Sequence, residues 1–179
     1  MHGIVRDCQT GGMDETRLSP KLVADDGAPG AADRAIDFYR TVLGAEVAAR
    51  HVMGESVVFA RLVLPGGGEL QVKDADEVDP GPPAGGGGHI LDIVCADPDT
   101  VARRAVEHGA EIVFAVADQP YGSRQGRFRD PFGHQWIVGT PVTMSDDEVQ
   151  AALDAWAGGG RELGRRLRPA GEVMADGTA

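Results

Sequence analysis

The sequence predicts an α+β fold in which one strand–helix–strand–strand–strand unit occurs twice. Two stretches, Val57–Asp74 and Tyr121–Thr140, each contain a strand, a proline–glycine turn and a second strand. The prolines of the two turns lie 66 residues apart (131 − 65 = 66), and Leu43–Val47 recurs as His108–Ile112 at an offset of 65 (108 − 43 = 65). A repeat of this length indicates a duplicated structural unit.

The first unit spans residues 17–77. A short apolar run that ends in aspartate predicts its opening strand, and the apolar residues that follow recur at helical spacing up to Gly44, where a left-handed C-cap is expected. The predicted elements are strands Leu18–Asp26 and Glu46–His51, helix Asp33–Leu43 and hairpin Val57–Asp74.

Residues 78–88 are rich in proline and glycine, which predicts a linker without regular structure. An ordered cover over a bound ligand is the alternative for this segment. The second unit spans residues 89–142, and Pro98 marks the start of its helix. Its predicted elements are strands His89–Asp97 and Glu111–Ala117, helix Asp99–His108 and hairpin Tyr121–Thr140.

The hairpin Tyr121–Thr140 has the stronger turn signal of the two. In Pro131-Phe132-Gly133, proline fixes φ for the second position of a β-turn and glycine accepts the positive φ that closes it. Within its second strand, alternation places His134 and Trp136 on the opposite face from Gln135 and Ile137. We therefore expect Trp136 to pack beneath the helix and His134 to brace the turn.

The two ends of the chain differ from the repeated body. Residues 1–16 are polar and predict a disordered tail, in which Met13 is an alternative start. Residues 143–179 predict a C-terminal helix and tail. The helix begins with a capping-box pattern at Ser145 and Glu148, and an apolar face follows, formed by Val149, Ala152, Leu153 and Trp156. That face requires a cover, either the body of its own domain or a second subunit.

Charge and composition exclude several function classes. The 179 residues carry 28 acids and 17 bases, a net charge of −11, which disfavours nucleic acid and anionic membranes as partners. No apolar run reaches the length of a membrane span, and the N-terminus lacks a secretory apolar core. Cys8 and Cys95 do not form a disulfide framework. A cytoplasmic protein is expected.

The segments AIDFYRTVLGAEV and YGSRQGRFRDPFGHQW resemble the vicinal oxygen chelate superfamily, which includes glyoxalase, bleomycin-resistance and extradiol dioxygenase proteins. Within it, the sequence is most similar to the PhnB-like branch, and the resemblance covers Leu18 to Val142. It implies two βαβββ modules that form an incomplete barrel around a ligand cavity. It also implies a homodimer, because bleomycin-resistance-like members bind ligands between subunits.

Metal-using members of that family take one ligand from the opening strand and one from the last strand of each module. Carried onto this sequence, the four positions are Leu18, Gln71, His89 and Ile137. Leucine and isoleucine cannot bind a metal, and a catalytic site normally has about three protein ligands. We therefore predict no cofactor. A one-residue slip in the hairpin alignment would offer Glu69 or His134, so a divalent metal remains the alternative.

His89 has two interpretations. It lies in the cavity as a hydrogen-bond donor or general base, or it only caps the strand end or faces solvent beside four glycines. In the first case, alternation also places Leu91 and Ile93 in the cavity wall. Arg124, Arg127 and Arg129 beside Tyr121 bind an anionic ligand or form ordinary ion pairs. The predicted ligand-binding residues are Leu18, Gln71, His89, Leu91, Gln135, Ile137, Tyr121 and Arg124.

Three functions follow from these observations. The favoured one is a protein that binds a small organic molecule without a metal, such as an antibiotic or a biosynthetic intermediate. The second is an enzyme, namely a lyase, isomerase, epimerase or dioxygenase, which uses a metal through nonstandard ligands or metal-free acid–base chemistry by His89 and Glu69. The third is a structural partner protein that docks through the Trp156 helix.

Overall fold

The computed structural model describes residues 18–83 and 88–158. The predicted tail at residues 1–16, most of the linker's glycine run and the segment after residue 158 lie outside this part. The elements in chain order are β1 (Lys21–Ala24), α1 (Ala31–Leu43), β2 (Glu46–Met53), β3 (Ser56–Val63), β4 (Glu69–Asp74), β5 (Leu91–Val94), α2 (Pro98–Glu107), β6 (Glu111–Asp118), β7 (Arg124–Arg129), β8 (Gln135–Gly139) and α3 (Asp146–Gly158).

Two four-stranded sheets of identical topology confirm the predicted repeat. Sheet 1 has the order β1-β4-β3-β2, and sheet 2 has the order β5-β8-β7-β6. In each sheet the opening strand pairs parallel with the last strand, and the other pairings are antiparallel. Both sheets are open, and together with the helices they confirm the α+β class with two βαβββ modules and a C-terminal helix.

Both opening strands are shorter than predicted. β1 starts at Lys21 rather than Leu18, and β5 starts at Leu91 rather than His89. Each forms a four-residue parallel ladder with the last strand of its module, from Lys21↔Gln71 and from Leu91↔Trp136. Each opening strand extends only as far as it pairs with the last strand of its module. Leu18 and His89 therefore precede their strands.

Asp74 holds the start of α1 against sheet 1. One carboxylate oxygen accepts the N–H of Ala32 at 2.8 Å, and the other accepts the N–H of Val57 at 2.7 Å. The bond to Ala32 satisfies a free amide of the first helical turn, a role that an N-cap side chain usually fills, and the bond to Val57 ties the same carboxylate to β3. In α2 the usual arrangement is present, because Asp97 accepts the N–H of Thr100 at 2.9 Å and Pro98 occupies the first turn.

The core lies between the helices and one face of each sheet. Tyr39 of α1 packs against Trp136 of β8 with ring centroids 5.3 Å apart, and both side chains are fully buried. The Tyr39 hydroxyl donates to Asp130 of the β7–β8 turn at 2.8 Å. Because α1 belongs to the first module and this turn to the second, one buried cluster joins the two modules.

The C-terminal helix has its predicted cap but little cover. The N–H of Ser145 donates to Glu148 at 2.8 Å, and the N–H of Glu148 donates to the Ser145 hydroxyl at 3.4 Å. Within Asp146–Gly158 no residue is fully buried, and Leu153 and Trp156 are half-buried. In the described part of the chain, no helix is long and apolar enough to cross a membrane.

Gly133 closes the β7–β8 turn with φ 92°, and Gly67 occupies the equivalent turn of sheet 1 with φ 89°. A Cβ on Gly133 would lie 3.1 Å from Pro82, whereas a Cβ on Gly67 would meet nothing within 4 Å. We expect Gly133→Val to lower the free energy of unfolding by about 2 kcal/mol and Gly67→Val by about half as much. Chemical denaturation of both variants measures the difference. Equal losses would show that Pro82 does not pack on the turn.

Candidate functional site

Each sheet has one face covered by helix and one face that the helices leave uncovered, which we call the open face. Leu70 and Val72 of β4, and Trp136 and Val138 of β8, are buried in the core. Because strand side chains alternate, the residues between them point to the other side. The open face of sheet 1 includes Lys21, Val23, Phe59, Arg61, Val63, Glu69, Gln71 and Lys73; that of sheet 2 includes Asp92, Val94, Phe114, Gln125, Arg127, Arg129, Gln135 and Ile137.

The open faces combine apolar side chains with polar and charged ones. Phe59 lies half-buried against the ring of His51, with centroids 5.9 Å apart and the planes 25° from parallel. On sheet 2, Ile137 is half-buried and Val94 is 67% exposed. Ligand sites in proteins use apolar side chains together with oriented polar groups, and both kinds are present on these faces.

Two arginines occupy equivalent positions on the two open faces. Arg61 of β3 pairs with Gln71 across the ladder, and Arg127 of β7 pairs with Ile137 in the same way. Arg61 also forms an ion pair with Glu69 at 3.2 Å. In sheet 2 the position equivalent to Glu69 is Gln135 (69 + 66 = 135), which is neutral. The arginine of sheet 1 therefore has a carboxylate beside it, whereas the equivalent arginine of sheet 2 has a neutral amide at that position.

Tyr121 lies beside the open face of sheet 2. Its hydroxyl donates to the Gln125 side-chain oxygen at 2.6 Å. Burial raises the pKa of the Tyr121 phenol, and the negative charge of Asp92 raises it further. The phenol therefore stays protonated at neutral pH and keeps its capacity to donate a hydrogen bond.

Leu91 and Arg124 lie on the helix-covered face, contrary to their predicted place in the cavity wall. Leu91 pairs with the buried Trp136 and packs against the core. Arg124 binds both oxygens of Asp99 in α2, at 2.6 and 2.7 Å, and Asp118 at 3.1 Å. These carboxylates hold the pKa of the Arg124 guanidinium well above its usual range. Strand alternation explains both positions, so we leave the two residues out of the proposed site.

His89 and His134 lie close together at the start of the second module. Their ring centroids are 6.4 Å apart, and His89 is exposed whereas His134 is 4% exposed. His134 Nε2 lies 3.1 Å from the Val23 carbonyl oxygen, and its backbone N–H donates to Asp130. Burial lowers the pKa of His134, and His89 adds to this effect, whereas Asp130 and the Val23 carbonyl oppose it. His134 thus braces the turn, as predicted.

The residues at the family's metal positions do not fit a metal centre. Leu18 is 93% exposed ahead of β1, and Ile137 offers no donor atom. Glu69, the substitute ligand, is held by Arg61. Across residues 18–83 and 88–158, no three His, Cys, Asp or Glu side chains come together as a possible metal site. We therefore derive no chemical step through a metal.

Of two cavities in the described part, the first is lined by no residue of the open faces and the second by Arg129 of sheet 2. One of about 850 Å³ lies beside the start of α1 and is lined by acidic side chains, such as Asp25 and Glu55, together with small apolar ones, such as Ala28 and Pro29. The other, of about 450 Å³, lies beside the β7–β8 turn, between Pro82 and Pro131. We place the candidate site on the open faces instead, because Gln71, Gln135 and Ile137 lie there, whereas none of the predicted ligand-binding residues lines either cavity.

Comparison with protein families gives one match over most of the repeat. A family model described as "Glyoxalase/Bleomycin resistance protein/Dioxygenase superfamily" matches residues 28–138. An uncharacterised protein of Mycobacterium bovis is 35% identical over 153 residues, which cover 81% of this chain and 97% of the relative. A Mycobacterium tuberculosis protein is equally similar and is covered over 86% of its length.

Solved structures share the architecture. TioX from Micromonospora sp. ML1 is 28% identical with a TM-score of 0.52, covering 70% of this chain and 98% of TioX. A gene product of Arabidopsis thaliana is 25% identical with a TM-score of 0.54, covering 69% and 98%. A PhnB protein from Bacillus cereus, at 18% identity and a TM-score of 0.53, covers 70% and 100% and is similar in fold alone.

Proposed function

Because the chain belongs to the glyoxalase/bleomycin resistance/dioxygenase superfamily, we propose that it binds a small organic molecule on the open faces of its two sheets. The observation that carries this proposal is the composition of these faces. Apolar side chains such as Phe59 and Ile137 stand beside Gln71, Tyr121 and Arg127, and most remain half-buried or exposed in the single chain.

A homodimer completes this proposal. In one chain each open face is a shallow surface, and a shallow surface removes little of a ligand from water, whereas binding sites usually bury most of it. A second copy that places an open face opposite the first encloses the ligand on two sides. The exposed Val94 supports this arrangement, because a second subunit would cover it.

The first test is a thermal-shift screen of aromatic metabolites and antibiotics with two matched variants. Ile137→Glu places a charge on the open face of sheet 2, and Val106→Glu places the same charge on the exposed surface of α2, where Val106 is 47% exposed. We expect a ligand to raise the melting temperature of the parent and of Val106→Glu. The same ligand should not change the melting temperature of Ile137→Glu. If all three proteins respond equally, the site lies elsewhere.

We further propose that binding needs no metal. The supporting observation is the pair of donor-free residues, Leu18 and Ile137, at two of the four family positions. Metal content of the untagged protein, measured by plasma mass spectrometry with and without added manganese, zinc, nickel and iron, provides the test. Ligand affinity should not change after chelation. A stoichiometric metal that is required for binding would overturn this part of the proposal.

His89→Ala tests the predicted role of the exposed histidine. Because His89 is exposed, we expect the free energy of unfolding to change by less than about 0.5 kcal/mol. Ligand affinity should fall by about threefold to tenfold if the ring donates a hydrogen bond to the ligand. Denaturation and titration calorimetry separate the two quantities. A large loss of stability with unchanged affinity would assign His89 a structural role.

The enzyme hypothesis with His89 and Glu69 as acid and base receives less support. Glu69 lies on sheet 1 in an ion pair with Arg61, whereas His89 lies beside His134 of sheet 2. We therefore favour binding as the function of the open faces.

A further inference from the structure

Arg127 is a half-buried cation whose charge no carboxylate of the described residues neutralises. Its Nε–H is buried and has no hydrogen-bond partner among the residues that the structure describes. Of the eight other arginines in that part of the chain, Arg104 is exposed on α2, and the remaining seven form ion pairs with carboxylates: Arg34, Arg40, Arg50, Arg61, Arg103, Arg124 and Arg129. In a chain of net charge −11, a buried donor without a carboxylate is an exception that requires a physical reason.

The repeat supplies a comparison for this exception. Arg61 and Arg127 are equivalent (61 + 66 = 127), and each stands on the open face of its sheet beside the last strand. In sheet 1 the diagonal neighbour Glu69 binds Arg61 at 3.2 Å. In sheet 2 the equivalent diagonal neighbour is Gln135, whose amide carries no charge. The internal counter-ion is therefore present in one module and absent at the same position of the other.

The surroundings of Arg127 define what would bind it. Its cross-strand neighbours are Ile137 on one side and Phe114 on the other, both half-buried and apolar. Asp92 of β5 pairs with Ile137 on the side away from Arg127, and its side chain is exposed. Among the described residues, it forms no ion pair with Arg127. A planar guanidinium between apolar side chains fits a molecule with an apolar body and one oxyanion group, which it can bind through two parallel hydrogen bonds.

We propose that Arg127 makes this site selective for organic acids, with the acid group of the ligand taking the place that Glu69 occupies beside Arg61. The inference rests on the proposed binding function and specifies the ligand class. A protein of net charge −11 repels anions overall. A preference for an acidic ligand therefore requires a local positive charge, which Arg127 supplies. Carboxylates and phosphonates share the required chemistry, so both are included in the test.

The experiment compares matched ligands that differ only in charge. We would measure dissociation constants for 2-naphthoate, 2-naphthylphosphonate and neutral 2-naphthamide by titration calorimetry and ligand-observed NMR. The parent protein should bind at least one of the two acids at least about tenfold more tightly than the amide, which is the effect of one charge-assisted hydrogen-bonded pair. The acid that binds more tightly identifies the oxyanion that the site prefers.

Three variants test whether the preference for acids comes from Arg127, and a fourth tests whether it needs the planar guanidinium. Arg127→Gln should abolish the preference for acids over the amide. Gln135→Glu should also abolish it, because it restores the internal counter-ion that sheet 1 possesses. Arg104→Gln removes the same charge from the exposed surface of α2 and should leave the preference intact. Arg127→Lys should retain part of the preference, since lysine keeps the charge and loses the planar fork.

The outcomes separate this inference from the proposed function. If acids and amide bind the parent equally, the organic-acid inference is overturned while small-molecule binding stands. If Arg104→Gln loses the preference as Arg127→Gln does, the effect is one of net charge, and the inference is overturned. If neither the naphthyl compounds nor the wider screen yields a ligand that depends on Ile137, the proposed function fails and the inference fails with it.

Discussion

Asp130→Ala is expected to lower the melting temperature by about 10 °C. The carboxylate of Asp130 is 3% exposed and accepts four hydrogen bonds. One oxygen accepts the backbone N–H groups of Phe132 and His134 at 3.0 and 2.9 Å, and the other accepts the Tyr39 hydroxyl and the Trp136 indole N–H, both at 2.8 Å. Removal of the carboxylate leaves two buried side-chain donors and two turn amides without an acceptor.

The size of the effect follows from that network. An unsatisfied buried polar group destabilises a protein by about 1–3 kcal/mol, and the four losses are not additive, so we expect about 3–4 kcal/mol in total. For a chain of this length, each kcal/mol shifts the melting temperature by about 2–4 °C. Burial, reinforced by the charge of Asp130, raises the pKa of Tyr39, so its hydroxyl remains a donor throughout the physiological range.

Calorimetry of three proteins tests this prediction. Tyr39→Phe removes one donor and leaves the rest of the network, so it should lose about a third of the Asp130→Ala effect. Asp37→Ala removes a carboxylate that is exposed and pairs with Arg40 at 3.1 Å, and should change stability by less than about 0.5 kcal/mol. A melting temperature of Asp130→Ala within about 2 °C of the parent would show that the buried carboxylate does not join the modules.

Gly126→Val is expected to destabilise the protein by about 3 kcal/mol or to prevent folding. A Cβ at this position would lie 2.6 Å from Val116 Cγ2 and 2.9 Å from the backbone nitrogen of Val116. The pairing of β6 with β7 shifts register between Phe114 and Ala117, and this irregularity brings the backbone of β6 over Gly126. Because Val116 contributes backbone atoms to the contact, a side chain can fit only if the strand moves.

A matched glycine separates this contact from the general effect of replacing glycine. A Cβ on Gly66 would meet no heavy atom within 4 Å, and like Gly126 this residue has no positive φ. We expect Gly66→Val to melt within about 2 °C of the parent. Gly126→Ala should lie between the two valine variants, with a loss of about 1–3 kcal/mol. Equal melting of Gly126→Ala and the parent would contradict the close approach of β6.

The sequence predicted the duplicated unit because its signals are local. Glycines that end helices, proline–glycine turns and strand alternation depend on a few neighbouring residues, and they recur at offsets of 65 and 66. The capping box at Ser145 and Glu148 was also predictable, since both partners lie within one helical turn. The same local alternation placed Trp136 in the core beneath α1 and His134 in the turn.

The tertiary structure decided the contacts between distant residues. No local pattern shows that Tyr39 meets Asp130, because the two residues are 91 positions apart and belong to different modules. Alternation counted from His89 put Leu91 in the ligand wall, but the parallel ladder with β8 turns Leu91 toward the core. The face on which a strand residue lies depends on the register in which the strand pairs, and a shift of one residue moves each side chain to the opposite face.

The candidate site combines both kinds of information. The sequence by itself determined that Arg61 and Arg127 are equivalent and that Glu69 has the neutral counterpart Gln135. Only the tertiary structure decided that Arg124 is bound by Asp99 of α2, that Arg61 is bound by Glu69, and that the Nε–H of Arg127 is buried without a partner among the described residues. The physical reason is that a charge is neutralised by what lies near it in space, which sequence spacing does not specify.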